Sequence, residues 1–475
     1  LRPFLGLHII QDIGQETHSL VGNPLFSILV QMGNIEQVQE YFDKLIHHNE
    51  NSWNDIIMGL VECGHFRSAI IVYQMMQEEK GYVYSSGNVF VTLLKVCGQR
   101  KDLKRGYVLH VEIARKGLLE RDVYIGSALI CMYSKCGSLV KAQSVFNELT
   151  IRNVVSWNSL ISGCVENGFS EEALHYFKQM KEESISPNIV TLICTLKASS
   201  IIQDITQGRD IHDDMYRKGF ERENLVGNAL VDMYAKCGFL NEAQEIFDRL
   251  HVHTIIAWTA LLTGYTEYGY DKESLDCFQR MQNKGVLMDS TAYVCILKVC
   301  SSTGTISKGF ELHAEIVWKG LEGNCFIGSR LVDMYAKCGL IREALGVFEK
   351  LNGRDVVSWT SLIAGFVENG NCEEALNYTE QMRHDNLSVG SVAAIFCLKS
   401  CAIIGDIEKG REMHDIVTQK GFLEREVSIG SALIDMYFKC GFSIEAQIVF
   451  DKLPIQCIAS WTSLITGLIE DGLND

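Results

Sequence analysis

Proline is nearly missing from this chain. Four occur in 475 residues, where average usage of about 5% would give roughly 24. So few ring-locked residues favour long uninterrupted helix. No CxxC pair occurs among the 17 cysteines, which removes the main warrant for zinc ribbons and thioredoxin-like sites. Their number is odd and their density low for a disulfide scaffold, so they read as small apolar residues packed between helices in a reducing compartment. No run approaches 18 consecutive apolar residues, which excludes a spanning helix. Positive charge is short as well: 43 basic against 59 acidic residues leaves a net charge of −16. With 47% hydrophobic and 21% charged residues, a disordered or coiled-coil chain is excluded. The opening LRPFLGLHII has no basic region followed by a cleavage site, so no targeting signal is read there.

What is present is repetition. Met132-Tyr133-Ser134-Lys135-Cys136-Gly137 returns as MYAKCG at 233–238, MYAKCG at 334–339 and MYFKCG at 436–441. The cysteine steps are 101, 101 and 102 residues. A tryptophan marker sits at Trp53, Trp157, Trp258, Trp359 and Trp461, with steps of 104, 101, 101 and 102. Length alone suggests roughly three domains; two markers sharing one period replace that estimate with a solenoid. Each period divides into three similar repeats of about 35, 35 and 31 residues. In 154–188, Val155, Leu160 and Ile161 form an apolar stripe that ends at Asn167-Gly168, a C-cap signal. Ser170 is then expected to cap a second helix, with Glu171 and Glu172 in its first turn and Ala173, Phe177 and Met180 on its inner face. Neither helix can bury its stripe alone, so neighbouring repeats must stack, with the first helices lining a concave face.

The tetratricopeptide pattern W-x2-L-G-x2-Y is not matched. Instead the repeats resemble the pentatricopeptide repeat family of plant organelles, in its mixed subclass of P, L and S repeats. VVSWNSLISGCVENG (154–168) and VVSWTSLIAGFVENG (356–370) are similar to P repeats. SVAAIFCLKSCAIIGDIEKGREMHDIVTQKGF (391–422) is similar to an L repeat, and NLVGNALVDMYAKCGFLNEAQEIFDRL (224–250) to an S repeat. The resemblance covers nearly the whole chain and implies an all-α, right-handed superhelical solenoid of tandem helix-turn-helix repeats. The expected boundaries are a partial L-type repeat at 1–18, then S-type repeats at 19–49, 123–153, 224–254, 325–355 and 427–457. P-type repeats are expected at 50–86, 154–188, 255–289 and 356–390, and L-type repeats at 87–122, 189–223, 290–324 and 391–426. A partial P-type repeat at 458–475 follows. Both ends cut through repeats, so the chain is expected to be an excerpt of a longer one.

On this register the fifth residue of every P- and S-type repeat is polar: Asn23, Asn54, Ser127, Asn158, Asn228, Thr259, Ser329, Thr360, Ser431 and Thr462. In the complete L-type repeats it is apolar: Val91, Ile193, Val294 and Ile395. Asparagine offers a donor and an acceptor, and a hydroxyl serves as either, which suits recognition of base edges. The resemblance implies one base per repeat, read by two or three side chains. It pairs the fifth residue with the last of the same repeat: Asn23 with Asn49, Asn54 with Ser86, Ser127 with Asn153 and Asn158 with Asn188. Asn228 with Thr254, Thr259 with Asp289 and Ser329 with Asp355 continue the series. The family's preferences imply pyrimidine for the Asn pairs, adenine for Ser127/Asn153, and guanine for Thr259/Asp289 and Ser329/Asp355. Thr360/Gly390 and Ser431/Cys457 depart from the usual last residue, leaving a weak purine preference. Read from residue 19, the implied target is Y-C-n-A-Y-n-Y-G-n-G-R-n-R. The resemblance also implies that second residues clamp the bases; Tyr124, Val155, Leu225, Ile256, Phe326 and Val357 fit, while Asn51 and Ser428 do not.

The net charge opposes binding to a polyanion, but Lys135, Lys236, Lys337 and Lys439 recur on the first helices of S-type repeats, where they are expected to meet phosphates. His110-Val-Glu112 and His313-Ala-Glu315 match half of a zinc deaminase signature, but its P-C-x-x-C half is missing, and both copies fall at the same repeat position. With no GxxxxGK[ST], GxSxG or HExxH present, no catalytic residue, metal site or cofactor is expected in this stretch. The resemblance implies a monomer without a membrane span that binds single-stranded RNA in mitochondria or chloroplasts. It most often implies a specificity factor for C-to-U editing that works with editing cofactor proteins. RNA stabilisation, splicing and a protein-binding scaffold are the alternatives.

Overall fold

The computed structural model describes residues 50–62, 64, 66–78, 87–119, 122–220, 223–470 and 472. Among them are 26 helices and no strand. They form hairpins whose first helix begins at the first residue of a repeat, as at Gly87–Arg100, Val123–Lys135 and Val154–Glu166. Packing divides the chain into two compact units, one ending at Cys237 and the other beginning at Gly238.

Within each unit the first helices pack on the first helices of the preceding and following hairpins, and the second helices pack on the first. The period markers are the residues that join these layers. Trp157, Trp258 and Trp359 are fully buried, each edge-on to the phenylalanine that closes the preceding repeat. Ring centroids lie at 4.6 Å for Phe146–Trp157, 4.5 Å for Phe247–Trp258 and 4.8 Å for Phe348–Trp359, a favoured aromatic geometry. The methionine of each MYxKCG string (MYSKCG at 132–137 included) lies against a glycine of the preceding second helix. A Cβ on Gly106, Gly208, Gly309 or Gly410 would stand 2.4–2.6 Å from the sulfur of Met132, Met233, Met334 or Met436. The Cys-Gly end of the string stops the helix, with Gly137, Gly339 and Gly441 at φ of 76°, 77° and 80°, where a side chain is costly.

Two local expectations change. Ser170 does not cap its helix: Phe169 holds the N-cap position, and Ser170 is the first helical residue, buried under the hairpin. Val155 does not join the stripe of Leu160 and Ile161, because it is 41% exposed while they are buried. Trp157 takes its place at the layer contact.

The tyrosine of each string is tied to a histidine. Nδ1 of His110, His212, His313 and His414 lies 2.9, 3.0, 2.8 and 2.9 Å from the hydroxyl of Tyr133, Tyr234, Tyr335 and Tyr437. The half-signature residues therefore serve packing, and Glu112 and Glu315 pair with Lys116 and Lys319 at 3.0 and 2.8 Å. Burial pulls His110, His313 and His414 below the ordinary histidine value. The unfolded chain therefore binds protons first, and stability is full above about pH 6.5 and declines as the pH falls toward the folded-state values. The urea midpoint is expected to drop between pH 7 and 5. His110→Gln with His414→Gln should flatten that dependence; an identical pH profile in the double variant would contradict the assignment.

Candidate nucleic-acid interface

The last residue of a repeat immediately precedes the next first helix, and this gives it a second duty. Asn153 accepts the N–H groups of Val155 and Ser156 at 3.0 and 2.9 Å, Asn188 that of Thr191 at 3.0 Å, and Asp289 that of Ala292 at 2.9 Å. Thr254 accepts from Ala257 at 3.3 Å, and Asp355 from Ser358 at 2.8 Å. Asn, Asp and Thr are the residues that satisfy orphan helix donors, so the cap locks each side chain toward one end of its helix. Gly390 offers no side chain for this. Cys457 accepts weakly from the Ser460 N–H at 3.4 Å, and that bond is the main cause holding its thiol below the ordinary value.

Two of the expected pairs are joined directly. Asn158 Nδ2 donates to Asn188 Oδ1 at 3.0 Å, and Thr191 Oγ1 donates to Asn158 Oδ1 at 2.6 Å. Ser329 Oγ lies 2.9 Å from Asp355 Oδ1, the oxygen that also caps the following helix. Other fifth residues bond their own helix. The hydroxyls of Ser127, Thr259, Thr360 and Thr462 turn back to the carbonyls of Val123, Ile255, Val356 and Ile458 at 3.1, 2.9, 2.7 and 2.7 Å. Asn228 is buried at the end of the first compact unit, and Thr254 belongs to the second. Asn54 and Ser431 are half-buried on first helices. Asn23, Asn49 and Ser86 lie outside the described residues.

The expected clamp residues all stand out from the layer. Tyr124, Leu225 and Phe326 are 66%, 65% and 71% exposed, and Val155, Ile256 and Val357 are also exposed. Such a row of apolar side chains on one helical position is unusual for packing, which would bury them. The recurrent lysines are less available than expected. Lys236, Lys337 and Lys439 pair with Asp232, Asp333 and Asp435 one turn earlier at 2.9, 3.1 and 2.9 Å. The capping duty of the last residues and the role of Thr191 escaped the sequence reading. The signal is in the sequence at Asn153, Asn188, Thr254, Asp289 and Asp355, each one residue before an expected first helix.

Among the described residues no group of three or more His, Cys, Asp or Glu is placed to hold a metal ion. No described helix is long and apolar enough to cross a membrane.

A model described as "PPR repeat family" matches residues 152–199. Another, described as "PPR repeat", matches 51–80, 127–154, 228–254, 256–286, 329–356, 357–387 and 431–454. Pentatricopeptide repeat-containing protein At4g18520, chloroplastic, of Arabidopsis thaliana is 32% identical over 451 residues, which cover 95% of this chain and 72% of that one. At1g15510, chloroplastic, is 33% identical over 98% of this chain and 53% of its own length, and At2g03380, mitochondrial, 30% over 95% and 65%, both from the same plant. The chain thus spans between about half and three quarters of the length of these relatives. The crystal structure of pentatricopeptide repeat protein PPR10 from maize superposes with a TM-score of 0.51 at 15% identity, covering 99% of this chain and 84% of that one. The same protein in complex with an 18-nt psaJ RNA element gives 0.55 at 16% identity, covering 95% and 76%. At that identity the likeness is one of fold.

Proposed function

Because the chain belongs to the pentatricopeptide repeat family, we propose that it reads single-stranded organellar RNA base by base and acts as a specificity factor for C-to-U editing, as a member of the mixed P, L and S subclass. The observation that carries the reading is the bond between Asn158 and Asn188. Two amides separated by one hairpin, one on a first helix and one at the cap of the next, are held side by side, and together they present donors and acceptors to one base edge. Ser329 and Asp355 repeat the arrangement with a hydroxyl and a carboxylate. The exposed second residues supply apolar faces on which bases stack. The RNA complex of PPR10, a protein of the same fold, supports RNA as the ligand. The deaminase-like activity comes from a partner or from a segment beyond this stretch, in a chloroplast or mitochondrion like those of the relatives.

The test is binding to RNA of the sequence Y-C-n-A-Y-n-Y-G-n-G-R-n-R and to a scrambled RNA of equal composition. Tighter binding of the matched RNA by at least tenfold is expected, since one good base contact is worth about 1–3 kcal/mol. Equal affinities would end the reading and favour a protein-binding scaffold.

A further inference from the structure

Among the described residues, five basic side chains of this acidic chain gather around one recess. Between the helix Phe66–Glu78 and the turn joining Gly87–Arg100 to Leu103–Arg115 lies a recess of about 590 Å³. Arg67, Arg100, Lys101, Lys104 and Arg105 line it, with Asp102 as its acidic member. Asp102 is already occupied: it caps the helix through the Arg105 N–H at 3.1 Å and pairs with the Arg105 guanidinium at 3.2 Å. Arg100 stacks over the ring of Phe66, 4.7 Å from its centroid. Among the described residues, no carboxylate pairs with Arg67, Arg100, Lys101 or Lys104. The positive end of the helix that starts at Leu103 adds to the same field.

The repeats supply their own control. In the next period the five basic positions are Glu171, Ile202, Gln203, Thr206 and Gln207. In the third they are Lys272, Thr303, Gly304, Ser307 and Lys308, and in the fourth Glu373, Ile404, Gly405, Glu408 and Lys409. The same backbone turn thus carries five positive charges once and net charges of −1, +2 and −1 elsewhere. Packing does not require the cations. Lys101 even holds a left-handed φ of 54° where two sister repeats place Gly304 and Gly405, the residue this backbone prefers.

We infer that this recess is a phosphate clamp that grips the backbone of the RNA outside the base-reading row. The inference rests on the RNA reading above and adds to it the source of backbone affinity. Most recurrent lysines spend their charge on neighbouring aspartates, so the phosphates need another partner, and a cluster of unpaired Arg and Lys provides one. Arg100 and the first-helix position Val91 are nine residues apart on one helix, about 13 Å along its axis. Those nine residues are also about two and a half turns, so Arg100 faces half a turn away from Val91, and the cluster lies off the row of fifth residues, toward the second helices that carry Arg67 and Lys104. Backbone contacts carry no sequence information, so the clamp raises affinity for every RNA alike.

The test uses residues that the sister repeats already tolerate: Arg100→Ile, Lys101→Gly and Lys104→Thr together. A control, Lys178→Gln, Lys272→Gln and Arg342→Gln, removes three charges from second helices elsewhere. The recess variant should keep its unfolding temperature and bind matched and scrambled RNA about tenfold more weakly, with their ratio unchanged. Its log–log salt dependence should be shallower by about 2, the value for three single-strand phosphate contacts. Inorganic tripolyphosphate should compete with RNA on the wild type and not on the variant. An unchanged salt slope in a variant that binds RNA would overturn the clamp, as would equal loss in the control or equal competition by polyglutamate. Absence of RNA binding by the wild type would instead overturn the reading beneath it.

Discussion

Replacing Trp359 by alanine is expected to cost the second compact unit about 3–5 kcal/mol, the range for removing a buried aromatic ring. The indole is 1% exposed, edge-on to Phe348 at 4.8 Å and tilted toward Tyr378 at 6.2 Å. Its removal would empty the joint between the hairpin ending at Lys350 and the hairpin beginning at Val356. Its Nε1 is buried without a hydrogen-bond partner among the described residues, a burden of about 1–3 kcal/mol on the wild type. Trp359→Phe keeps most of the ring contact and removes that burden, so it should cost less than half as much as alanine. Urea unfolding followed by circular dichroism measures both. Each hairpin touches only its neighbours, so hydrogen exchange should rise over 341–384 and stay slow over 255–283. A uniform rise across the unit, or equal costs for Phe and Ala, would contradict this account of the joint.

The markers that revealed the period are legible because each one is a joint of this kind. Tryptophan meets the phenylalanine of the repeat before it, methionine fills the space left by a glycine, and tyrosine finds a histidine. None of these side chains can change alone, so they recur at a constant spacing. The helices themselves were readable from turn glycines and apolar faces. Single positions at the ends of stripes were not. Val155 has the same chemistry as a core residue, and only the direction of its Cβ puts it outside. Serine favours the cap position, yet the short turn puts Phe169 there and makes Ser170 the first helical residue.

The interface was legible in its polar row and illegible in its partnerships. The polar row, ten residues from Asn23 to Thr462 on the expected register, is a property of one sequence position. The bond between Asn158 and Asn188 joins residues 30 apart, and its length depends on the packing of two hairpins. The lysine pairing could have been read, since Asp232, Asp333 and Asp435 each stand four residues before a lysine, the favoured order on a helix. The basic recess could not, because Arg67 joins Arg100 and Lys101 only when one repeat is laid on the next.

Exchanging Thr259→Asn together with Asp289→Ser is expected to turn a guanine preference at one nucleotide into a pyrimidine preference, with the stability of the chain nearly unchanged. The new pair copies Asn54 with Ser86. The wild-type threonine bonds its own helix through the Ile255 carbonyl at 2.9 Å, so asparagine breaks no bond to another repeat and gains an amide to present. Asp289 holds the start of Ser290–Thr303 through the Ala292 N–H, and serine caps a helix about as well. A single Asp289→Ala variant separates the two duties: it should lose about 0.5–2 kcal/mol of stability with the cap and weaken the preference without acquiring a new one. Binding to RNAs that differ only at that nucleotide reads the exchange, and the guanine-to-pyrimidine affinity ratio should move by about 10- to 100-fold, corresponding to about 1–3 kcal/mol. If the double variant folds as the wild type and keeps its base profile, the fifth and last residues are helix-end chemistry alone, and bases are read by other side chains.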